Sequence, residues 1–144
     1  MIADGPTGAL TVAAAVIVLD ARVLMVRRAV AEGALSWQFP AGKTEPGESA
    51  EEATVREAAE ETGVTVTARR LLGERVHPGT GARITYVACD LVAGTARPAS
   101  SREVAEVRWS SAEEADELTA GTIYDPVRRY LHEVASGYHG PASS

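Results

Sequence analysis

A chain of 144 residues with 14 Lys and Arg against 20 Asp and Glu carries a net charge of -6, which argues against broad binding to duplex nucleic acid or to an anionic membrane surface. The length suits one domain, placed at residues 1–137 with a frayed tail at 138–144, able to bury about two-thirds of its unfolded surface in a single core. The lone cysteine, Cys89, lies in an apolar run and cannot form an internal disulfide, so the chain is expected in a reducing cytoplasm.

In chain order, Leu10–Leu19 is apolar enough to suggest a secretion signal, but Asp4 rather than a basic segment precedes it, and Asp20 and Arg22 bound it. It is also too short to span a bilayer. It reads as a strand joined across Asp20-Ala21 to a second, Val23–Arg28, in a hairpin. Ser36–Pro40 is short and extended, which puts Trp37 and Phe39 on one side, facing either the core or a ring to be stacked. After Ala41-Gly42-Lys43 the turn Pro46-Gly47 leads into a helix. Ser49 and Glu52 have the spacing of a capping box, and the helix runs from Ala50 to Thr62 and stops at Gly63. Strands are predicted at Leu71–His77, Ile84–Val92 and Val104–Trp109, with turns at Pro78-Gly79 and Gly94. Ser111 with Glu114 opens a short helix, and Asp125-Pro126 starts a last one that continues through Ala135. Strands surrounding two or three helices make an α+β fold, a mixed sheet between helices.

Glu57, Glu60 and Glu61 share one face of the first helix at spacing i, i+3, i+4, with no lysine beside them. Their repulsion costs about 0.2–0.5 kcal/mol per pair, and the last two fall where the helix dipole disfavours negative charge. Such a row is either a solvated acidic face or a cation site. Oxygen donors without His or Cys suit Mg2+ or Mn2+ rather than zinc.

The row belongs to a longer pattern: Gly42, Glu48, Arg56, Glu57, Glu60, Glu61, Gly63 and Val64 stand at the spacing of the Nudix hydrolase signature, which the chain closely resembles. A chance match of its seven fixed residues in one register is on the order of 1 in 10 million. Ala58 departs from the pattern, standing where the family has a larger aliphatic, which is expected to weaken packing of the helix on the sheet. The resemblance implies the Nudix fold, with Glu57, Glu60 and Glu61 as metal ligands and the Ala41 carbonyl as a further one. It also implies a structural ion pair between Glu48 and Arg56. Gly42 permits close backbone approach to metal or phosphate, and Gly63 can take the left-handed C-cap. The catalytic base is left between Glu60 or Glu61 within the signature and Glu103 or Glu106 outside it. Arg27 and Arg28, ending the second strand, are candidates to meet phosphate, and Trp37, Phe39 and Tyr124 to stack on a base. His77 lies near a turn able to touch substrate.

The activity implied is Mg2+- or Mn2+-dependent hydrolysis of a nucleoside diphosphate linked to a further group, with small nucleotides as partners. The compact length resembles the MutT-related nucleoside triphosphate pyrophosphohydrolases, which release nucleoside monophosphate and pyrophosphate. Members that read oxidised guanine carry an asparagine in the loop where Tyr124 stands, which argues against that base. ADP-ribose or nucleotide-sugar hydrolysis and a non-catalytic nucleotide-binding module are the alternatives.

Overall fold

The computed structural model describes the backbone of residues 11–32 and 35–135 and the side chains of 11–29 and 37–135. The tail at 138–144 and the start of the domain lie outside this span, so the domain bounds expected from the sequence do too. Strands β1 (Thr11–Leu19) and β2 (Arg22–Glu32) form the expected hairpin, with Val18 opposite Val23 and Leu19 opposite Arg22. Asp20 and Ala21 close it with φ of 52° and 64°, the left-handed pair that matches the twist of the two strands. Next come β3 (Leu35–Gln38), β4 (Ala41–Lys43) and α1 (Ala50–Thr62). Beyond the helix lie β5 (Thr65–Val76), β6 (Arg83–Ala93), β7 (Val104–Ser110), α2 (Ala112–Leu118) and α3 (Asp125–Ala135).

The strands form one mixed sheet in the order β3-β2-β1-β6-β5, with β4 added to β1 and β7 to β2. β1 runs parallel to β6 and antiparallel to its other partners. Ala13 to Ile17 are all buried, as a central strand covered on both faces requires. Alternation along β1 separates two cores. Ala15 and Ile17 join Leu24, Val87, Cys89, Ala58 and Val64 on the α1 side, whereas Ala14 and Val16 join Met25, Tyr86, Val127 and Leu131 on the side of α2 and α3. Each fully buried Ile, Leu or Val contributes about 1.5–3 kcal/mol. Ala58, expected to be a weak point, is fully buried in the α1-side core, where a small side chain lets the helix lie close to the alanine-rich strand.

The main departure from the sequence reading is β5, which starts at Thr65 rather than Leu71. It shifts register against β6 between Thr65 and Val66, Ala68 and Arg70, and Leu71 and Gly73. Bulges break the two-residue alternation from which a strand is recognised. The β6–β7 connection also has an unpredicted role. Its Arg97 and Ala99 N–H groups donate to the carbonyls of Thr62 and Glu61, each at 3.0 Å, satisfying acceptors that a helix end leaves open. No helix among the described residues is long and apolar enough to cross a membrane.

Candidate active site

Local sequence fixes both ends of α1. Ser49 Oγ accepts from the Glu52 N–H at 3.0 Å, and Glu52 Oε1 accepts from the Ser49 N–H at 2.9 Å, completing the capping box. Gly63 ends the helix at φ 75°, ψ 8°, with its N–H on the Ala59 carbonyl. A side chain there would strain the left-handed backbone, which glycine adopts freely. The acidic row therefore sits on a helix whose start, stop and last two carbonyls are fastened.

Glu57 and Glu61 are buried, at 8% and 2% exposure, while Glu60 is open to solvent. A β-carbon on residue 42 would overlap the carboxyl carbon and both oxygens of Glu57, so the glycine of β4 forms a cradle for that carboxylate. Glu61 accepts from the Ala41 N–H and from Arg28 Nη1, both at 3.2 Å. Arg56 Nη1 donates to Glu57 at 2.8 Å and to Glu60 at 3.3 Å. The repulsion expected from the absence of lysine is thus countered by arginine, Arg56 from within the helix and Arg28 from β2. Burial raises the Glu57 carboxyl above the ordinary carboxylate range, and it raises Glu61 to about 7 despite the neighbouring Arg28 charge, because desolvation disfavours the ionised form.

Among the described residues, no three or more His, Cys, Asp or Glu side chains converge as a ready metal site, and arginine nitrogens hold oxygens of all three glutamates. The donor chemistry nonetheless fits a hard divalent ion. It consists of carboxylate oxygens, one set in the Gly42 cradle and one beside the Ala41 backbone, the donors such an ion prefers.

The expected ion pair between Glu48 and Arg56 is bidentate, Nε to Oε2 and Nη2 to Oε1, both at 2.8 Å. Arg56 Nη2 also donates to the Lys43 carbonyl at 3.0 Å, and Glu48 Oε1 accepts from the Glu45 N–H at 2.9 Å. The Arg56 hydrogen bonds and the Glu45 N–H hold the Glu48 carboxyl down at about 2. This fork, matched to a carboxylate's geometry, ties the loop carrying Gly42 to the helix carrying Glu57.

The remaining candidates separate by sheet face. Arg27 and Arg28 are neighbours on a strand and point oppositely: Arg28 reaches Glu61, while Arg27 Nε pairs with Glu106 at 3.2 Å on the other face. The two arginines expected from the sequence to meet phosphate are thus divided between the two faces. Glu106 is engaged there, whereas Glu103 lines a cavity of about 670 Å3 with Glu60, Ala99, Ser100 and Arg102. The Glu103 backbone is held on both sides, its N–H on the Ser100 carbonyl and its carbonyl accepting from the Ala29 N–H, each at 2.9 Å. Trp37 and Phe39 share a face as expected. Phe39 is core, edge-on to Tyr86, and the Arg108 guanidinium lies 5.1 Å from the Trp37 ring centre. Tyr124 packs its ring 5.4 Å from Tyr86 and donates its hydroxyl to the Glu74 carbonyl at 3.0 Å. Arg75, which no spacing rule singles out in a bulged strand, holds its guanidinium 5.3 Å from the Tyr124 ring and 5.8 Å from that of Tyr86.

The model of the NUDIX domain matches residues 9–131. The putative nudix hydrolase 1 of Caenorhabditis elegans is 30% identical over 129 residues, covering 87% of this chain but 34% of that protein's length. The CTP pyrophosphohydrolase of Escherichia coli is 33% identical over 105 residues, 72% of this chain and 77% of that protein. Among solved structures, a NUDIX hydrolase from Nitrosomonas europaea superposes with a TM-score of 0.73 at 25% identity, covering 90% of this chain and 74% of that one.

Proposed function

Because this chain belongs to the NUDIX family, in its MutT-related branch, we propose that it hydrolyses nucleoside triphosphates to nucleoside monophosphate and pyrophosphate, using a divalent cation, Mg2+ or Mn2+. The observation carrying the reading is the pair of buried carboxylates, Glu57 in the Gly42 cradle and Glu61 against the Ala41 backbone, within reach of Arg28. The E. coli relative named for CTP pyrophosphohydrolysis supports the triphosphate over ADP-ribose.

A phosphoric anhydride resists attack because its own oxygens repel an incoming water, so catalysis consists of neutralising charge and orienting the nucleophile. Glu57, Glu60, Glu61 and the Ala41 carbonyl would hold the cation, which when bound supplies positive charge to phosphate oxygens. Arg28, which holds Glu61 on the α1 face, would offer its guanidinium to a phosphate there. Arg56 cannot leave without loosening the loop, since Glu48 and the Lys43 carbonyl hold it; it is a positioning residue for Glu57. Water adds to one phosphorus, the bridging P–O bond breaks, and the water's proton passes to a carboxylate. Glu103 is assigned that role, because its backbone is fixed and its cavity is shared with Glu60, whereas Glu106 is paired with Arg27.

Phosphorus NMR of the products tests the reaction. Pyrophosphate and monophosphate from triphosphates are expected. Orthophosphate from triphosphates, or cleavage of ADP-ribose with triphosphates untouched, would overturn it.

A further inference from the structure

Across β4, β1, β6 and β5 the registers align Lys43, Val12, Ile84 and Arg75 in one transverse row, beside a second row of Ala41, Ala14, Tyr86 and Gly73. Laterally paired residues share a face. Ala14, Tyr86, Ala41 and Ile84 all belong to or pack on the core beneath α2 and α3, so both rows present side chains to that side. Three inter-strand steps separate Lys43 from Arg75, roughly 14 Å. The floor between them is apolar, and cationic side chains stand at its ends. The Lys43 end is the signature loop itself.

At the far end Arg75 is half-buried, and no ion pair of the described residues includes it. Its Nη2 donates to the Thr122 carbonyl at 2.6 Å and its Nε to the Tyr86 hydroxyl at 3.3 Å. Tyr124 lies over Gly73, where a β-carbon would come within 2.8 Å of the ring. The two tyrosines and the Thr122 carbonyl therefore fix the guanidinium plane, while Nη1 has no hydrogen-bond partner among the described residues. Desolvating a charged group this far without a carboxylate is a cost that structural anchoring alone does not require, since a neutral donor would reach Thr122 as well.

We propose that Arg75 is the specificity-determining residue for the base of the nucleotide: its unused N–H donors take a nucleobase presenting two adjacent acceptors, the O6/N7 edge of guanine or the O2/N3 edge of cytosine. Adenine is disfavoured because each of its acceptors on those edges sits beside the amino donor, an arrangement that suits Asn or Gln and not a donor-only fork. A base held there directs its phosphates along the row toward Lys43 and the edge of the sheet where β4 continues into the signature loop. This rests on the reading of the site as one for nucleoside triphosphates.

The test is equilibrium binding of CMP, GMP, UMP and AMP to the full chain in EDTA, by titration calorimetry, with Arg75→Lys and Arg75→Gln alongside. In the wild-type protein CMP or GMP should bind at least about 10-fold more tightly than AMP, and the two arms identify which base. Arg75→Lys keeps the charge and loses the fork, so the preference should collapse to within about threefold. Arg75→Gln should shift the ratio toward AMP. Equal or tighter binding of AMP by the wild-type protein overturns the inference whether or not the variants fold, as does absence of binding by any monophosphate at millimolar concentration. Retention of the preference in folded Arg75→Lys, with all four ligands weakened equally, would make Arg75 an anchor for the Thr122 segment and nothing more. The proposed reaction fails separately, through a metal-loaded triphosphate panel that gives no turnover, and the monophosphate ratio decides Arg75 even then.

Discussion

The carboxylate of Glu57 occupies the volume that a β-carbon at residue 42 would need. Gly42 does not have a positive φ, so an alanine there meets no backbone penalty and only the steric one. Gly42→Ala should therefore fold, displace Glu57, and weaken the metal-induced rise in Tm. A loss on the order of 10- to 100-fold in metal affinity or turnover is expected, the range seen when the support of a ligand is disturbed. Wild-type titration of Tm by Mg2+ in this variant would show that the cradle is incidental.

Each of Glu57→Gln, Glu60→Gln and Glu61→Gln should lose about 100-fold or more in kcat, as removal of a metal ligand or a base does. Circular dichroism separates this from misfolding. For the wild-type protein a cation at 100 times its Kd adds about 2.7 kcal/mol of stability, read as a higher Tm that EDTA reverses. Normal turnover in all three variants, or full activity in EDTA, contradicts the carboxylate assignment.

The pair of Glu48 and Arg56 sets a pH dependence of known sign. The folded carboxyl at about 2 lies below the ordinary 4.5, so its contribution is fully present above the unfolded value and is lost as pH falls through the folded one. In EDTA, the Tm advantage of wild type over Glu48→Gln should be constant above about pH 5 and shrink steadily toward pH 2. A difference that does not change over that window would mean that the ion pair contributes nothing to stability.

Glu103 and Glu106 differ by three positions and should differ sharply in function. Glu103→Gln is expected to lower kcat by about 100-fold with little change in Tm, the size of a general base contribution. Glu106→Gln removes an exposed pair with Arg27 and should change stability by no more than about 1 kcal/mol and leave kcat in place. The reverse result would move the base to the opposite side of the sheet.

The acidic site was legible because its information is local. A helix with caps at Ser49 and Gly63 fixes Glu57, Glu60 and Glu61 by spacing alone, and the Glu48–Arg56 pair joins residues eight apart. The Asp20-Ala21 hairpin was legible for the same reason. What escaped depends on lateral register. Arg27 and Arg28 look like one cationic patch in a string of letters, yet a pleated strand sends them to opposite faces. The bulges of β5 cancel the alternation that would have shown residues 65–70 as strand. Arg75, Tyr86 and Tyr124 meet only once β5, β6 and the segment before α3 are stacked, a coincidence of three distant stretches that no single window contains.

Arg97 and Ala99 anchor the β6–β7 connection to the last carbonyls of α1, and Glu103 binds the same connection to Ala29 of β2. Its length is therefore fixed at both ends. One residue added or removed between Ala99 and Glu103 would force a choice between leaving the helix end open and moving the carboxylate. The amides of Arg97 and Ala99 should exchange with solvent at the rate of the final turn of α1, as part of the same opening unit rather than as surface loop. Tolerance to insertion would then be greater at residues 78–81, where the chain turns at the surface, than in a connection that looks equally irregular in sequence.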